Sequence, residues 1–170
     1  FQNLVKLSSY GYTEGFYYRP RVDRELLRKH HNGLIALSAC LAGEIPTALR
    51  HDDIDGAKAL IEEHVDIFGE KNFFLELQDH GIPEQRKVNT GLVSLAGEMG
   101  VPLVVTNDCH FLKEEDHGAH DVLICIGTGK KRDEEGRSMS YATDHYFKSG
   151  DEMAEVFPEH LEALENTLLI

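Results

Sequence analysis

The stretch NFFLELQDHGIPEQRKVNTGLVSLAGEMGVPLVVTN, residues 72–107, decides the fold of this chain. It contains two apolar runs, NFFLELQ and VPLVVTN, and each has the length of a buried strand. The segment between them opens with Pro83 and closes on Gly100, which are residue types that begin and end helices. A strand, a helix of ordinary length and a second strand therefore follow one another, and this order predicts a parallel pair of strands.

The same alternation extends to both sides of this unit. Upstream, LIALSA (34–39) predicts another buried strand, and DDIDGAKALIEEHVDIFG (52–69) predicts a helix with one apolar face. Further predicted elements are a helix over 4–12, a helix that Asp23 caps, a helix over 114–126, a loop over 127–140, a short strand HYFKS and two terminal helices. Near-continuous apolar strands need cover on both faces, so the order predicts an α/β fold with a parallel sheet, as in a barrel or a doubly wound sheet.

Composition limits the classes of protein that fit. The chain has 170 residues, which suits one domain or a large part of one. No apolar run approaches the roughly 18 residues of a membrane span, so no membrane partner is predicted. Three dispersed cysteines are typical of a reducing, cytoplasmic compartment. The chain starts at Phe1 without Met and stops inside an apolar helical pattern, which predicts a piece of a longer protein.

The charge balance argues against a main nucleic-acid-binding surface in this chain. The formal net charge is -13, because 17 basic residues face 30 acidic ones, whereas phosphate binding needs clustered Lys and Arg. Basic residues gather loosely at two places and are interpreted as solvated surface: Arg19, Arg21, Arg24, Arg28 and Lys29, then Lys130, Lys131 and Arg132. Any DNA contact in this chain would be local.

Residue types that bind metals follow all three predicted strands. In parallel α/β folds the carboxyl ends of the strands meet on one face, where the functional groups gather. Cys40 follows the first strand, Asp79 and His80 follow the second, and Asp108 and His110 follow the third. Two alternatives stay open: Cys40 as a small buried apolar residue, and Asp79 with His80 as part of a turn before Gly81.

The third strand end gives the clearest prediction of a metal site. Asp108 and His110 are two residues apart, so in extended backbone both side chains point to one side while Cys109 points into the packing. A carboxylate with an imidazole suits Zn, Mn or Fe, and a thiolate from Cys40 would favour Zn. His117 and His120, three residues apart on a predicted helix, are interpreted as polar surface. The ligands found are too few for a complete multi-metal phosphoesterase site.

Four motifs carry a resemblance to a known family. GLIALSACLAGEIP, NFFLELQDHGIPEQ, VPLVVTNDCHFL and AHDVLICIGTGK, in this order, resemble the polymerase and histidinol phosphatase (PHP) domain of bacterial replicative DNA polymerase III alpha subunits. The resemblance covers essentially all of residues 1–170 and implies part of a distorted (β/α)7 TIM-like barrel. On that basis the chain is expected to form the later two-thirds of one PHP domain, with the first strands and the polymerase palm outside it.

The resemblance also implies a site and two alternative functions. Cys40, Asp108 and His110 would be the last three ligands of a divalent metal cluster, with Asp79 and His80 near the site but not ligands. The parent would be a DNA-directed DNA polymerase with Mg at its polymerase site, and this piece would contribute to a 3′–5′ exonuclease. Alternatively, the domain would be an inactive module that docks the proofreading subunit or other replisome proteins. The isolated piece is expected to be inactive.

Overall fold

A computed structural model describes residues 1–137 and 141–170 of the chain. Within these residues lies one parallel sheet, in which β1 (Ala36–Leu37), β2 (Phe73–Leu77) and β3 (Leu103–Val105) stand side by side in the order β1-β2-β3. Ala36 pairs with Phe73, and Leu75 pairs with Leu103. The predicted α/β class with parallel strands is confirmed, and the strand ends on which the site was predicted face one edge of the sheet.

The described ranges contain eight α-helices. They are α1 (Gln2–Thr13), α2 (Arg24–His30), α3 (Glu44–Arg50), α4 (Ile54–Phe68), α5 (Pro83–Met99), α6 (His117–Thr128), α7 (Gly150–Val156) and α8 (Leu161–Glu165). Two 3-10 turns, Glu114–Asp116 and Asn166–Leu169, extend α6 and α8. Each of these helices is too short or too polar to cross a lipid bilayer.

The central strand β2 forms the middle of the core. Phe73, Leu75 and Leu77 are fully buried, and the apolar faces of α4 and α5 cover them with residues such as Ile61 and Leu92. On the other face Phe74 is also buried, whereas Glu76 is half-buried, so the sequence of β2 is apolar almost throughout rather than alternating.

The signals at the helix ends work as predicted. The Asp23 carboxylate accepts a hydrogen bond from the Leu26 backbone N–H at 2.8 Å and caps α2. Pro83 occupies the first turn of α5, and Gly100 ends that helix with φ 68, a left-handed value that glycine adopts without strain. These signals are local in sequence, so the bounds of both helices follow the prediction closely.

The first strand is shorter than predicted. Ala39 has φ 65 and turns the chain out of the extended conformation, so the sheet residues of LIALSA are Ala36 and Leu37. The Ser38 backbone N–H still donates to the Phe74 carbonyl at 3.1 Å, and its hydroxyl accepts from the Glu76 N–H at 2.8 Å. The turn leads directly into α3, a helix that the sequence analysis did not predict.

Two further predictions differ from the structure. The segment HYFKS makes one parallel bridge, Phe111 with Tyr146, rather than a strand. The predicted loop over 127–140 begins after α6 and is described as far as residue 137, with 138–140 outside the described residues.

Candidate metal centre

The loop after β3 brings Asp108 and His110 together. Asp108 has φ 44, so the backbone turns sharply here instead of remaining extended as the prediction assumed. The Asp108 Oδ1 atom nevertheless lies 3.4 Å from His110 Nε2. The predicted meeting of the two side chains therefore occurs, but through a left-handed turn that aspartate tolerates better than most residues.

A second segment, residues 144–147, runs along this loop and is fixed to it. The His110 N–H donates to the His145 carbonyl at 2.8 Å, and the Phe147 N–H donates to the Phe111 carbonyl at 3.1 Å. Buried Asn107 donates from its amide to the carbonyls of residues 144 and 146, at 2.9 and 2.7 Å. These bonds fix the backbone of the segment, and with it the position of the His145 ring.

His145 completes a group of three possible ligands. One donor atom from each of Asp108, His110 and His145 lies within 4.8 Å of the others, and this group arises among the described residues without any contribution from Cys40. The His145 side chain is buried, and its Nδ1 lies 3.1 Å from the Asp108 carbonyl and 3.9 Å from Asp108 Oδ2. An Nδ1–H that donates to this carbonyl leaves the lone pair on Nε2.

The electrostatics favour a neutral His145. Burial lowers the pKa of His145, although its hydrogen bond to the Asp108 carbonyl opposes this effect. A neutral imidazole is the form that binds metal. The donor set of two imidazoles and one carboxylate fits Zn, Mn or Fe, and the Asp108 side chain keeps 41% of its surface exposed. A metal ion could therefore reach the group from solvent.

Aromatic rings support the group from one side. The Tyr141 ring lies 3.8 Å from the His110 ring, and the His120 ring lies 5.6 Å from it, measured between centroids. His117 Nε2 bonds to the Tyr141 carbonyl at 2.9 Å, and His120 also packs on Phe111. The interpretation of His117 and His120 as polar surface was wrong, because both contact the residues around the site.

His80 lies next to the site with both of its ring nitrogens engaged. Its Nε2 is 2.9 Å from the Asn107 carbonyl, which can only accept, so Nε2 carries the proton. Its Nδ1 therefore accepts from the Gln85 amide N–H at 2.8 Å, and no lone pair remains for a metal. The His80 ring stacks on His145 with centroids 3.7 Å apart, so it supports the ring of a candidate ligand.

The other predicted residues are less close to the group. The Asp79 carboxylate accepts from the Gly81 N–H at 2.8 Å, which matches the turn that was left open as an alternative. Cys40 is exposed in the turn after β1, where it shares a shallow hollow with Gln78 and Asn89, so the buried alternative for Cys40 was wrong. Its role as a ligand stays a prediction.

Cys109 was expected to point into the packing, and this prediction was wrong. Cys109 is exposed, and its thiol lies 3.6 Å from the Tyr146 carbonyl, whereas Cys125 is buried. The turn at Asp108 is the reason, because it moves the next side chain to the solvent side of the loop.

His145 is the functional candidate that sequence reasoning missed. It is the first residue of the predicted strand HYFKS, and this position was the sequence signal that could have marked it as a candidate ligand. Backbone hydrogen bonds and the Asn107 side chain together pair that segment with the loop after β3, and no periodicity in the sequence reveals these contacts.

Comparisons with known proteins agree with the motif resemblance. Residues 1–80 match the family model described as PHP domain. The chain is 47% identical to the DNA polymerase III subunit alpha of Treponema pallidum, over 100% of this chain and 14% of that relative. The chain is 46% identical to the same subunit of Borreliella burgdorferi, over 100% of this chain and 15% of that relative. It is also 46% identical to the subunit of Thermus aquaticus, over 94% of this chain and 13% of that relative. The chain thus spans about one seventh of the length of these relatives, and the resemblance is confirmed.

Proposed function

We propose that this chain, which has the PHP-domain sequence of DNA polymerase III alpha subunits, contributes a metal-dependent phosphoesterase site to a replicative DNA polymerase. The observation that carries the proposal is the group formed by Asp108, His110 and His145, whose donor atoms lie within 4.8 Å of one another at the carboxyl end of β3. In parallel α/β folds this is the edge at which catalytic groups gather. The reaction we propose is removal of nucleotides from a DNA 3′ end during replication.

The residues of this chain have distinct tasks in that reaction. A divalent metal, once bound, would supply Lewis-acid chemistry for hydrolysis of a phosphodiester. Asp108 would supply a carboxylate oxygen at the exposed side of the group, and His110 and buried His145 would supply imidazole nitrogens. Tyr141 packs on His110 and limits the rotation of its ring. His80 stacks on His145 and limits the rotation of that ring in the same way.

The remaining ligands would come from the rest of the barrel. We propose that residues 1–170 form the later part of one PHP domain, and that its three parallel strands belong to a distorted seven-stranded barrel of the TIM type. Cys40 follows β1 and would join the cluster as a further ligand, because β1 and β3 flank β2 with their carboxyl ends on one edge. Asp79, in its turn with Gly81, would be near the site without binding metal.

A second candidate function is a docking module for the proofreading subunit or another replisome protein. The formal net charge of -13 favours it, since an acidic surface repels DNA wherever no cation compensates. In this case the metal group would stabilise the fold instead of cleaving DNA. Either function places the parent in the bacterial cytoplasm, with DNA as the polymerase substrate and Mg at the polymerase site.

A nuclease assay on the full-length parent distinguishes the two proposed functions. We expect Asp108→Asn to abolish metal-dependent shortening of a 3′-labelled single strand and to leave primer extension intact. Asp79→Asn is the matched control, because asparagine retains an oxygen for the Gly81 N–H and Asp79 is outside the group. The short chain alone should degrade DNA poorly. If wild-type parent lacks the nuclease but loses its docking partner on Asp108→Asn, the docking module is correct and the nuclease proposal is wrong.

A further inference from the structure

Residues 16–21 form a tight turn that presents aromatic rings to solvent. The Tyr17 N–H donates to the Arg19 carbonyl at 3.1 Å, so the chain reverses direction at Tyr18. Tyr18 has φ 59, a conformation that bulky residues seldom adopt, and its side chain is 84% exposed. A strained backbone that exposes a tyrosine at the surface has no structural benefit of its own, which points to a function for the ring.

The backbone of the turn is braced, and its two tyrosine rings contact each other. Gly15 lies against the Arg21 backbone so closely that a Cβ there would be 1.9 Å from the Arg21 carbonyl oxygen. The Arg21 guanidinium stands over the Tyr17 ring at 5.1 Å, and the Tyr17 and Tyr18 rings meet edge to face at 4.6 Å. A surface fixed in this way loses little conformational entropy when a ligand binds.

The arginines of the turn differ from those that follow. Arg24 bonds to the carboxylates of Glu44 and Glu63, and Arg28 lies 3.1 Å from Asp66. In residues 1–137 and 141–170, neither Arg19 nor Arg21 has a carboxylate oxygen within 4.0 Å. Both guanidiniums therefore keep their hydrogen-bonding capacity for an outside anion.

The turn itself is basic, although acidic residues flank it. The segment FYYRPRV, residues 16–22, contains two arginines and no acidic residue. Glu14 and Asp23 lie on either side of it and line the hollow beside Arg21, whereas residues 16–19 do not line that hollow. An anionic ligand would thus approach the exposed ring faces and the free guanidiniums together.

We propose that the turn at 16–21 is a binding site for single-stranded DNA. Exposed tyrosine faces stack on bases of any sequence, and arginine side chains hold the phosphates between them. Tyr12 and Phe16 extend the ring surface, since their rings stack at 6.3 Å and are 63% and 56% exposed. This site goes beyond the proposed nuclease, and only the choice of DNA over RNA rests on that function.

The test is a fluorescence anisotropy titration of the purified chain with labelled oligo(dT) at low salt and with chelator present. Tyr18→Ala should weaken binding about fivefold or more, which is the loss of one stacked base, and Tyr18→Phe should not. Phe1→Ala is the control, because Phe1 is 91% exposed at the opposite end of α1, about 18 Å away along the helix.

The arginines are tested by the salt dependence of the same titration. Arg19→Gln should reduce the slope of log K against log salt by about 0.7, the value for one phosphate contact on a single strand. Arg50→Gln removes the same charge from the exposed end of α3 and should leave the slope unchanged. Chelator excludes the metal group from the measurement, so a failed nuclease proposal would not alter these results.

Three outcomes would overturn the proposal. An abasic oligomer of equal length that binds as tightly as oligo(dT) would show that the rings do not stack on bases. Equal affinity of Tyr18→Ala and wild type would place the contact elsewhere. A complete lack of binding at low salt would exclude single-stranded DNA as the ligand of the turn.

Discussion

Replacing Asn107 should disturb the arrangement of the metal group while all of its ligands remain present. Asn107 is buried, and its amide donates to the Asp144 carbonyl at 2.9 Å and to the Tyr146 carbonyl at 2.7 Å. These two bonds hold the segment that carries His145 against the loop that carries Asp108 and His110. Asn107→Ala removes both donors without touching any ligand of the group.

The expected cost follows from these contacts. A net contribution of about 0.5–1.5 kcal/mol per hydrogen bond gives a loss of about 1–3 kcal/mol in the free energy of unfolding. The substitution should also lower the affinity for metal, because partners that orient ligands typically contribute 10–100-fold to metal affinity. We therefore expect Asn107→Ala to bind Zn about 10–100-fold more weakly than wild type.

Two measurements and one control decide this prediction. Urea denaturation in chelator gives the free energy of unfolding without the contribution of bound metal, and calorimetric titration gives the Zn affinity. Asn166→Ala is the control, since half-buried Asn166 donates one similar bond, at 2.8 Å to the carbonyl of Leu103, the first residue of β3, at the strand end away from the group. Zn affinity equal to wild type in Asn107→Ala would refute the view that this side chain assembles the site.

Three further changes test the core, the α6 ion pair and the role of His80. Leu75→Ala in the fully buried strand β2 should lower the free energy of unfolding by about 2–5 kcal/mol in urea, whereas exposed Leu112→Ala should change it by less than about 0.5. The Arg137 guanidinium lies 2.6 Å from Asp121 and holds the pKa of that carboxyl below its usual value. The pair therefore stabilises the fold above about pH 4, and this stabilisation is lost as the pH falls through the lowered pKa. Thermal melts should therefore show that Asp121→Asn destabilises the chain at neutral pH and that the difference from wild type shrinks in acid; a constant difference would contradict this. His80→Phe retains a ring that can stack on His145, and neither nitrogen of His80 is free to bind metal. Elemental analysis should therefore find the same number of bound Zn ions at saturation as in wild type. Loss of an ion would show that His80 is a ligand.

The fold was predictable because its signals are local. Alternating apolar runs and helices, with Pro83 and Gly100 at the ends of α5, indicate a parallel α/β arrangement before any coordinates are known. The rule that functional groups gather at the carboxyl ends of strands then selects Asp108 and His110, and with them Cys40, Asp79 and His80, which are not part of the group of three. Both inferences depend only on residues that are close in sequence.

The remainder of the site depends on contacts between distant residues. Backbone bonds and the side chain of Asn107, which lies 38 positions before His145 in the sequence, hold His145 at the group, and neither residue belongs to a periodic pattern. The left-handed backbone at Asp108 also reverses the side on which Cys109 was expected. Side-chain to backbone hydrogen bonds and a single unusual φ value thus set the details that hydrophobic patterning cannot predict.

The most direct test of the central claim is the metal content of the chain after dialysis against Zn. We predict that wild type retains bound Zn and that His110→Ala and His145→Ala each lose it, because each removes one donor from the group around Asp108. Cys109→Ala should retain wild-type metal, since its thiol contacts the Tyr146 carbonyl and is not part of the group. Equal Zn content in wild type and both histidine variants would contradict a metal site at the carboxyl end of β3.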